Sequence, residues 1–98
     1  MDVRIEGSAQ TDLIEGYHFY EKGEDDAGLY FLDKVREEIL ELQVSGGVHR
    51  KRYGFHFCPS SRFPHGFYYR VAGETVKIYA VLDCRRSPRW IRAQLKDR

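Results

Sequence analysis

Residues 82–90 read Leu-Asp-Cys-Arg-Arg-Ser-Pro-Arg-Trp and set Arg85 and Arg86 between the end of an apolar run and a helix start at Ser87-Pro88. Arginine forks bind phosphates and carboxylates bidentately, and a helix N-terminus adds backbone donors, so the residue types suit an anion site. The competing use of Arg85 is a structural pair with Asp83 or with a helix carboxylate. Arg89, Arg92, Lys96 and Arg98 continue the positive charge, and Arg50, Lys51 and Arg52 bring more from an earlier loop. Trp90 within such a groove could stack on a base or anchor a partner's side chain; otherwise it packs as a lid over the sheet beside Tyr79. The four histidines, His18, His49, His56 and His65, sit at no spacing that forces two together, and Cys58 and Cys84 belong to no CxxC unit. A metal site and a disulfide framework are therefore not expected, and both cysteines read as reduced core residues. No nucleophile elbow, P-loop or dinucleotide-binding glycine pattern occurs, so acyl transfer and nucleotide hydrolysis drop out and no cofactor is expected.

The elements that must position these residues follow from periodicity. Val3 and Ile5 alternate with Arg4 and Glu6 as a short strand, which stops at Gly7 with Ser8 as the expected N-cap. Leu13, Tyr17 and Tyr20 form one helical stripe ending near Gly23. Leu32, Val35, Ile39 and Leu42 form a second, which runs from the acidic start at Glu24, Asp25 and Asp26 to Gly46-Gly47. The short connection makes these an antiparallel helical hairpin. Three alternating runs follow: Phe55 and Phe57; Phe67, Tyr69 and Val71; and Val76, Ile78, Ala80 and Leu82. A tight turn at Gly73-Glu74 joins the last two. Ser87-Pro88 then opens a short helix with Trp90, Ile91 and Leu95. The expected fold is α+β: a short N-terminal strand joining an antiparallel three-stranded meander, the helical hairpin packed on that sheet, and a short C-terminal helix. Residues 1–98 form one domain, as suits a chain of this size.

The net charge of +1 conceals a division along the chain. Residues 1–45 carry twelve carboxylates against four cations, whereas residues 46–98 carry twelve cations against three carboxylates. That polarity points to an anionic or acidic-tailed partner for the second half, or to a solvated acidic hairpin beside a solvated basic sheet. No run approaches the roughly 20 apolar residues of a membrane span, and the N-terminus lacks an apolar stretch of secretory length, so a cytoplasmic location and no membrane partner are expected.

The run Arg62-Phe63-Pro64-His65-Gly66-Phe67-Tyr68-Tyr69-Arg70-Val71, a short turn, Val76 to Leu82 and then Asp83-Cys84-Arg85-Arg86 closely resembles the RelE/ParE toxin superfamily. The opening strand with Ser8, Ala9 and Asp12-Leu13, the helix over residues 31–42 and the closing LDCRRSPRWI extend the resemblance over nearly the whole chain. The resemblance implies a bacterial type II toxin held inactive by a cognate antitoxin, whose C-terminal segment wraps it. It leaves two activities open: binding of DNA gyrase, as in ParE-type members, or ribosome-dependent cleavage of messenger RNA, as in RelE-type members. A third outcome is a non-toxic module kept for antitoxin binding.

Arg85 matches the phosphate-contacting arginine of the nuclease branch. The second arginine of that branch aligns with Gly66, and its C-terminal catalytic tyrosine or histidine falls near Ile91. A nuclease here would have to draw on Arg85, Arg86, Arg52 and His65. These departures favour the noncatalytic, ParE-like reading, with no catalytic residue and with Arg85, Arg86, Arg89, Trp90, Arg92, Arg50, Lys51 and Arg52 as the partner-binding set.

Overall fold

A computed structural model describes all residues, 1–98. The first strand, β1 (Asp2–Ile5), turns Val3 and Ile5 toward the helices and leaves Arg4 exposed, as period-two alternation requires. Helix α1 (Gly7–Gly23) begins two residues earlier than a cap at Ser8 would set it, at Gly7. Glu6 occupies the cap position without a side-chain bond, and Ser8 lies inside the first turn. Its hydroxyl instead donates to the Tyr79 carbonyl at 2.6 Å. The buried stripe of α1 is Ala9, Asp12, Leu13 and Gly16, with Tyr17 and Tyr20 at its edge.

Helix α2 (Ala27–Ser45) buries Phe31, Val35, Ile39 and Leu42, one face repeating at four, four and three. Its acidic approach does not cap it. Asp26 stands at the N-cap with a left-handed φ of 68° and makes no capping bond. The cap comes from α1, where the Glu21 carboxylate accepts from the N–H groups of Asp26 (3.1 Å) and Gly28 (3.0 Å). One side chain thereby satisfies two orphan donors and fixes the bend of the hairpin.

The sheet holds β2 (Lys51–Arg52), β3 (Phe55–Pro59), β4 (His65–Ala72) and β5 (Thr75–Asp83) in the order β1-β5-β4-β3-β2, with β1 parallel to β5 and every other pair antiparallel. The expected meander is present, and the supposed basic loop contributes a further short strand, β2. It folds back through Tyr53 and Gly54, whose φ values of 56° and 84° are both left-handed, as a two-residue hairpin turn of this hand demands.

Each face of the sheet has its own core. The hairpin covers Phe67, Tyr69, Val76, Ile78 and Val81, while the last helix, α3 (Pro88–Leu95), lays Ile91 and Leu95 over Phe55, Tyr68, Ala80 and Leu82. Val76, Ile78, Ala80 and Leu82, expected on one face, are therefore divided between two. The register explains why: Tyr68 lies opposite Ala80 and Tyr69 opposite Ile78, so Tyr79 is an extra residue in β5 and the strand changes face across it. Burying a ring such as that of Phe31 or Tyr69 contributes about 1.5–3 kcal/mol.

The bulge frees backbone groups that side chains from both ends of the chain take up. The Tyr79 carbonyl accepts from Ser8 and from Arg98, and the Val81 N–H donates to the Asp12 carboxylate at 2.9 Å. Arg98 also closes a two-pronged pair with Asp12, side chains that are 16% and 6% exposed. The cysteines depart from expectation, since Cys58 is half-buried and Cys84 exposed; both are free. No helix is long and apolar enough to cross a membrane.

Candidate functional site

The close of β5 arranges the first candidate pair. Asp83 accepts from the Arg85 backbone N–H at 2.8 Å and from the Arg85 guanidinium through Nε (3.1 Å) and Nη2 (2.7 Å). These bonds hold the Asp83 carboxyl below its usual range and raise Arg85 above its own. Arg85 is thus exposed but already neutralised, with its Nη1 edge left for a partner. Arg86 sits over the Trp90 ring at 4.0 Å and has no carboxylate partner. Trp90 in turn packs against the α3-side core. Stacking on Trp90 restrains the Arg86 guanidinium at the wall of a recess it shares with Asp83 and Glu15, and its donors are free of any ion pair, an arrangement open to a planar anion.

The N-terminus of α3 adds little to this corner. Ser87 Oγ takes the Trp90 N–H at 3.1 Å, the Ser87 carbonyl takes that of Ile91, and Pro88 has none. Arg89 keeps the one open donor of the first turn, and its side chain is exposed.

The basic triplet does not act as a block, because strand periodicity sends its members to different sides. The Arg50 carbonyl accepts from the Phe57 N–H at 3.0 Å. Lys51 pairs across from His56 and lines a small recess with Gly54, His56 and Arg70. Arg52 stacks over Phe57 at 4.1 Å on the side of α3, and its charge reaches Tyr68 and Cys84. Only Arg52 therefore approaches the end of β5. Arg92 stands over the Tyr53 ring at 5.9 Å, nearer the β2–β3 turn than the Arg85–Arg86 corner.

The positions that depart from the nuclease pattern are filled. A Cβ on Gly66 would overlap the Phe57 ring and crowd Cys84 Sγ, so Phe57 occupies the space a side chain at 66 would need. Ile91 is buried in the α3 core. His65 is buried against the rings of Phe31 (5.2 Å) and Tyr20 (6.0 Å), its Nδ1 has no partner, and burial lowers its pKa. The hydroxyl of Tyr68 is also buried without a partner, and desolvation pushes its pKa up to about 12, the nearby Arg52 charge offsetting only part of that. Sequence reasoning passed over Tyr68, which reads as an ordinary alternating strand residue.

A second histidine network lies under the hairpin. Tyr69 accepts from the Gly47 N–H at 2.9 Å and donates to His49 Nδ1 at 2.6 Å, while His56 stacks on the Tyr69 ring and donates to the His49 carbonyl. Burial lowers the His49 pKa, with the His56 charge adding to it. His49 and His65 both have folded pKa values below their ordinary 6.5, so the unfolded chain takes up protons first. Their contribution to stability is complete above about pH 6.5 and is lost as pH falls through the lowered folded values. The urea midpoint is expected to drop between pH 7.5 and pH 5, and to drop less in His65→Leu. A flat profile over that range would contradict the assignment. Asp83, also lowered, acts in a separate window below its ordinary 3.8.

The sequence matches no protein-family model, and no curated protein matches it. Among solved structures the fold is that of a chain from a toxin–antitoxin system: "Chromosomal ParDE TA system from P. aeruginosa", TM-score 0.73, 21% identity, covering 83% of this chain and 92% of that one. The α+β arrangement expected from the periodicity is therefore shared with a solved chain of a ParDE system.

Proposed function

We propose that the protein is the toxin of a bacterial type II toxin–antitoxin pair, acting in the cytoplasm by binding DNA gyrase and neutralised by an antitoxin whose C-terminal segment wraps it. The observation that carries this reading is the fold shared with the ParDE-system chain over most of both lengths. The choice of gyrase over messenger RNA is supported by the filled positions: Phe57 over Gly66, Ile91 in the core, and His65 enclosed by aromatic rings. Phosphoryl transfer requires an accessible proton carrier and cations around the phosphorane, and neither His65 nor position 66 supplies them. The contact for the partner is the unpaired guanidinium of Arg86 on Trp90, with the free edge of Arg85 beside it. Arg89 and Arg52 extend it, whereas Arg92 and Lys51, with Arg50, lie toward the β2–β3 hairpin and outside this contact.

The test is induction of the protein in bacterial cells. Growth arrest with intact transcripts and an induced DNA-damage response is expected. Cleaved messenger RNA would replace gyrase by the ribosome as target, and uninterrupted growth would leave only an antitoxin-binding module.

A further inference from the structure

The two edges of the sheet differ. At one, β2 is only Lys51 and Arg52, so two copies of it would set cation against cation. At the other, β1 carries neither proline nor glycine, and its outer flank faces no strand. Asp2 N–H donates to the Glu74 carbonyl at 2.8 Å and Glu6 N–H to the Ile78 carbonyl at 2.9 Å, so the even-numbered residues turn their backbone toward β5. Val3 and Ile5 therefore turn theirs to the open flank. The Ile5 carbonyl takes the Gln10 side-chain amide at 2.9 Å, whereas the Val3 N–H, the Val3 carbonyl and the Ile5 N–H have no partner.

The charges on β1 are also unsatisfied. Val3 and Ile5 pack toward the hairpin, so Asp2 and Arg4 project from the other face, and both are exposed. Arg4 lies level with Lys77 of β5, a like charge, and none of Asp2, Arg4 and Lys77 makes an ion pair. Two adjacent cations thus stand beside an open strand flank with no carboxylate to offset them.

We infer that the outer flank of β1 takes a second copy of this chain, the two β1 strands running antiparallel about a two-fold axis at Val3. In that register the copies exchange N–H···O bonds at Val3, and each Ile5 N–H reaches the Met1 carbonyl opposite. Asp2 of each copy stands opposite Arg4 of the other and supplies the carboxylate that Arg4 and Lys77 lack. The charge order along β1 is therefore complementary to itself, which selects a second copy over an unrelated strand. A slip of two residues in either direction would set Arg4 against Arg4 or Asp2 against Asp2, so repulsion fixes the register. Exposed Met1 and Val44 add apolar surface at the end of α2 that abuts β1, where the Gln43 carbonyl accepts from the Met1 amine. The pairing ends at Ile5, level with Ile78, and the Arg85–Arg86 corner lies beyond the end of β5, so the inference is independent of the proposed function.

The experiment is sedimentation velocity of the purified protein from about 5 to 500 μM, the range suited to an interface at the small end of its class. A reversible shift from 11.5 kDa toward twice that mass is expected. Arg4→Asp, which sets like charges opposite each other at both symmetric positions, should weaken self-association about tenfold or more. Asp2→Arg combined with Arg4→Asp exchanges the signs, keeps the complementarity and should return association to near its original strength. Val3→Pro removes an N–H that no group within the chain uses and should abolish association. Asp2 and Arg4 are exposed, so the charge variants keep the fold, as circular dichroism checks, and they decide alone should Val3→Pro unfold. The inference is overturned by a monomer at the highest concentration, by a reversed-charge double variant that stays monomeric, or by unchanged association in folded Val3→Pro. A dimer indifferent to Arg4→Asp would place the contact elsewhere and overturns it equally.

Discussion

Asp12→Ala is expected to lower the free energy of unfolding by on the order of 3–5 kcal/mol, the usual cost of removing one partner from a buried ion pair. The carboxylate is 6% exposed and serves three groups: both outer nitrogens of Arg98 and the Val81 N–H. Its loss leaves a mostly buried guanidinium without a counter-charge and a backbone donor of the bulge without an acceptor. A domain of this size is stable by only about 5–15 kcal/mol, so urea unfolding should show a midpoint reduced by roughly a fifth or more. Asp12→Leu combined with Arg98→Leu should recover much of the loss, because the uncompensated charge is gone and only the Val81 N–H stays unpaired. A loss below about 1 kcal/mol in Asp12→Ala would mean that the pair does not fasten the end of α3 to the bulge.

Gly66→Arg, which installs the arginine of the nuclease branch, is expected to cost about 3 kcal/mol or more and to confer no messenger RNA cleavage. Gly66 is buried in β4, between β3 and β5, and the Phe57 ring lies where the new Cβ must go. Phe57 cannot step aside freely, since it also packs on Tyr68 (5.1 Å) and carries Arg52. Gly66→Arg with Phe57→Ala should therefore be more stable than the sum of the two single losses, a coupling that urea unfolding of the four proteins measures directly. Strict additivity would mean that the ring is not what excludes a side chain at 66.

What the sequence discloses is what is local. Val3 and Ile5, the α2 stripe and the Ser87-Pro88 helix start are each set by neighbours within one or two turns, and periodicity finds them. The bulge at Tyr79 has no mark of its own, since no glycine or proline flags it, and so the change of face between Ile78 and Ala80 stays hidden. Asp12 and Arg98 stand 86 positions apart, beyond any local spacing rule. One signal was available: Asp12 falls on the buried stripe of α1 among Ala9, Leu13 and Gly16, where a carboxylate must find a partner.

The same division applies to the site. The Arg85–Asp83 pair joins residues two apart and is legible as an alternative use of Arg85. The stacking of Arg86 on Trp90 spans a single helical turn. Phe57 over Gly66, and the separation of Lys51 from Arg52 by the short strand β2, depend on strand pairing that composition does not encode. The arginines are neither turned inward nor held by hairpin carboxylates. One is balanced by its own strand's aspartate, and the other is free.

The proposed gyrase contact is tested most directly by plasmid supercoiling with purified gyrase, comparing the protein with its Arg85→Ala, Arg86→Ala double variant. Both side chains are exposed and add little to stability, so the variant should remain folded. The expected result is blocked supercoiling with accumulated cleavage complexes for the protein and at least a tenfold weaker effect for the variant. Unimpaired supercoiling at saturating protein, or equal inhibition by the folded variant, would contradict it.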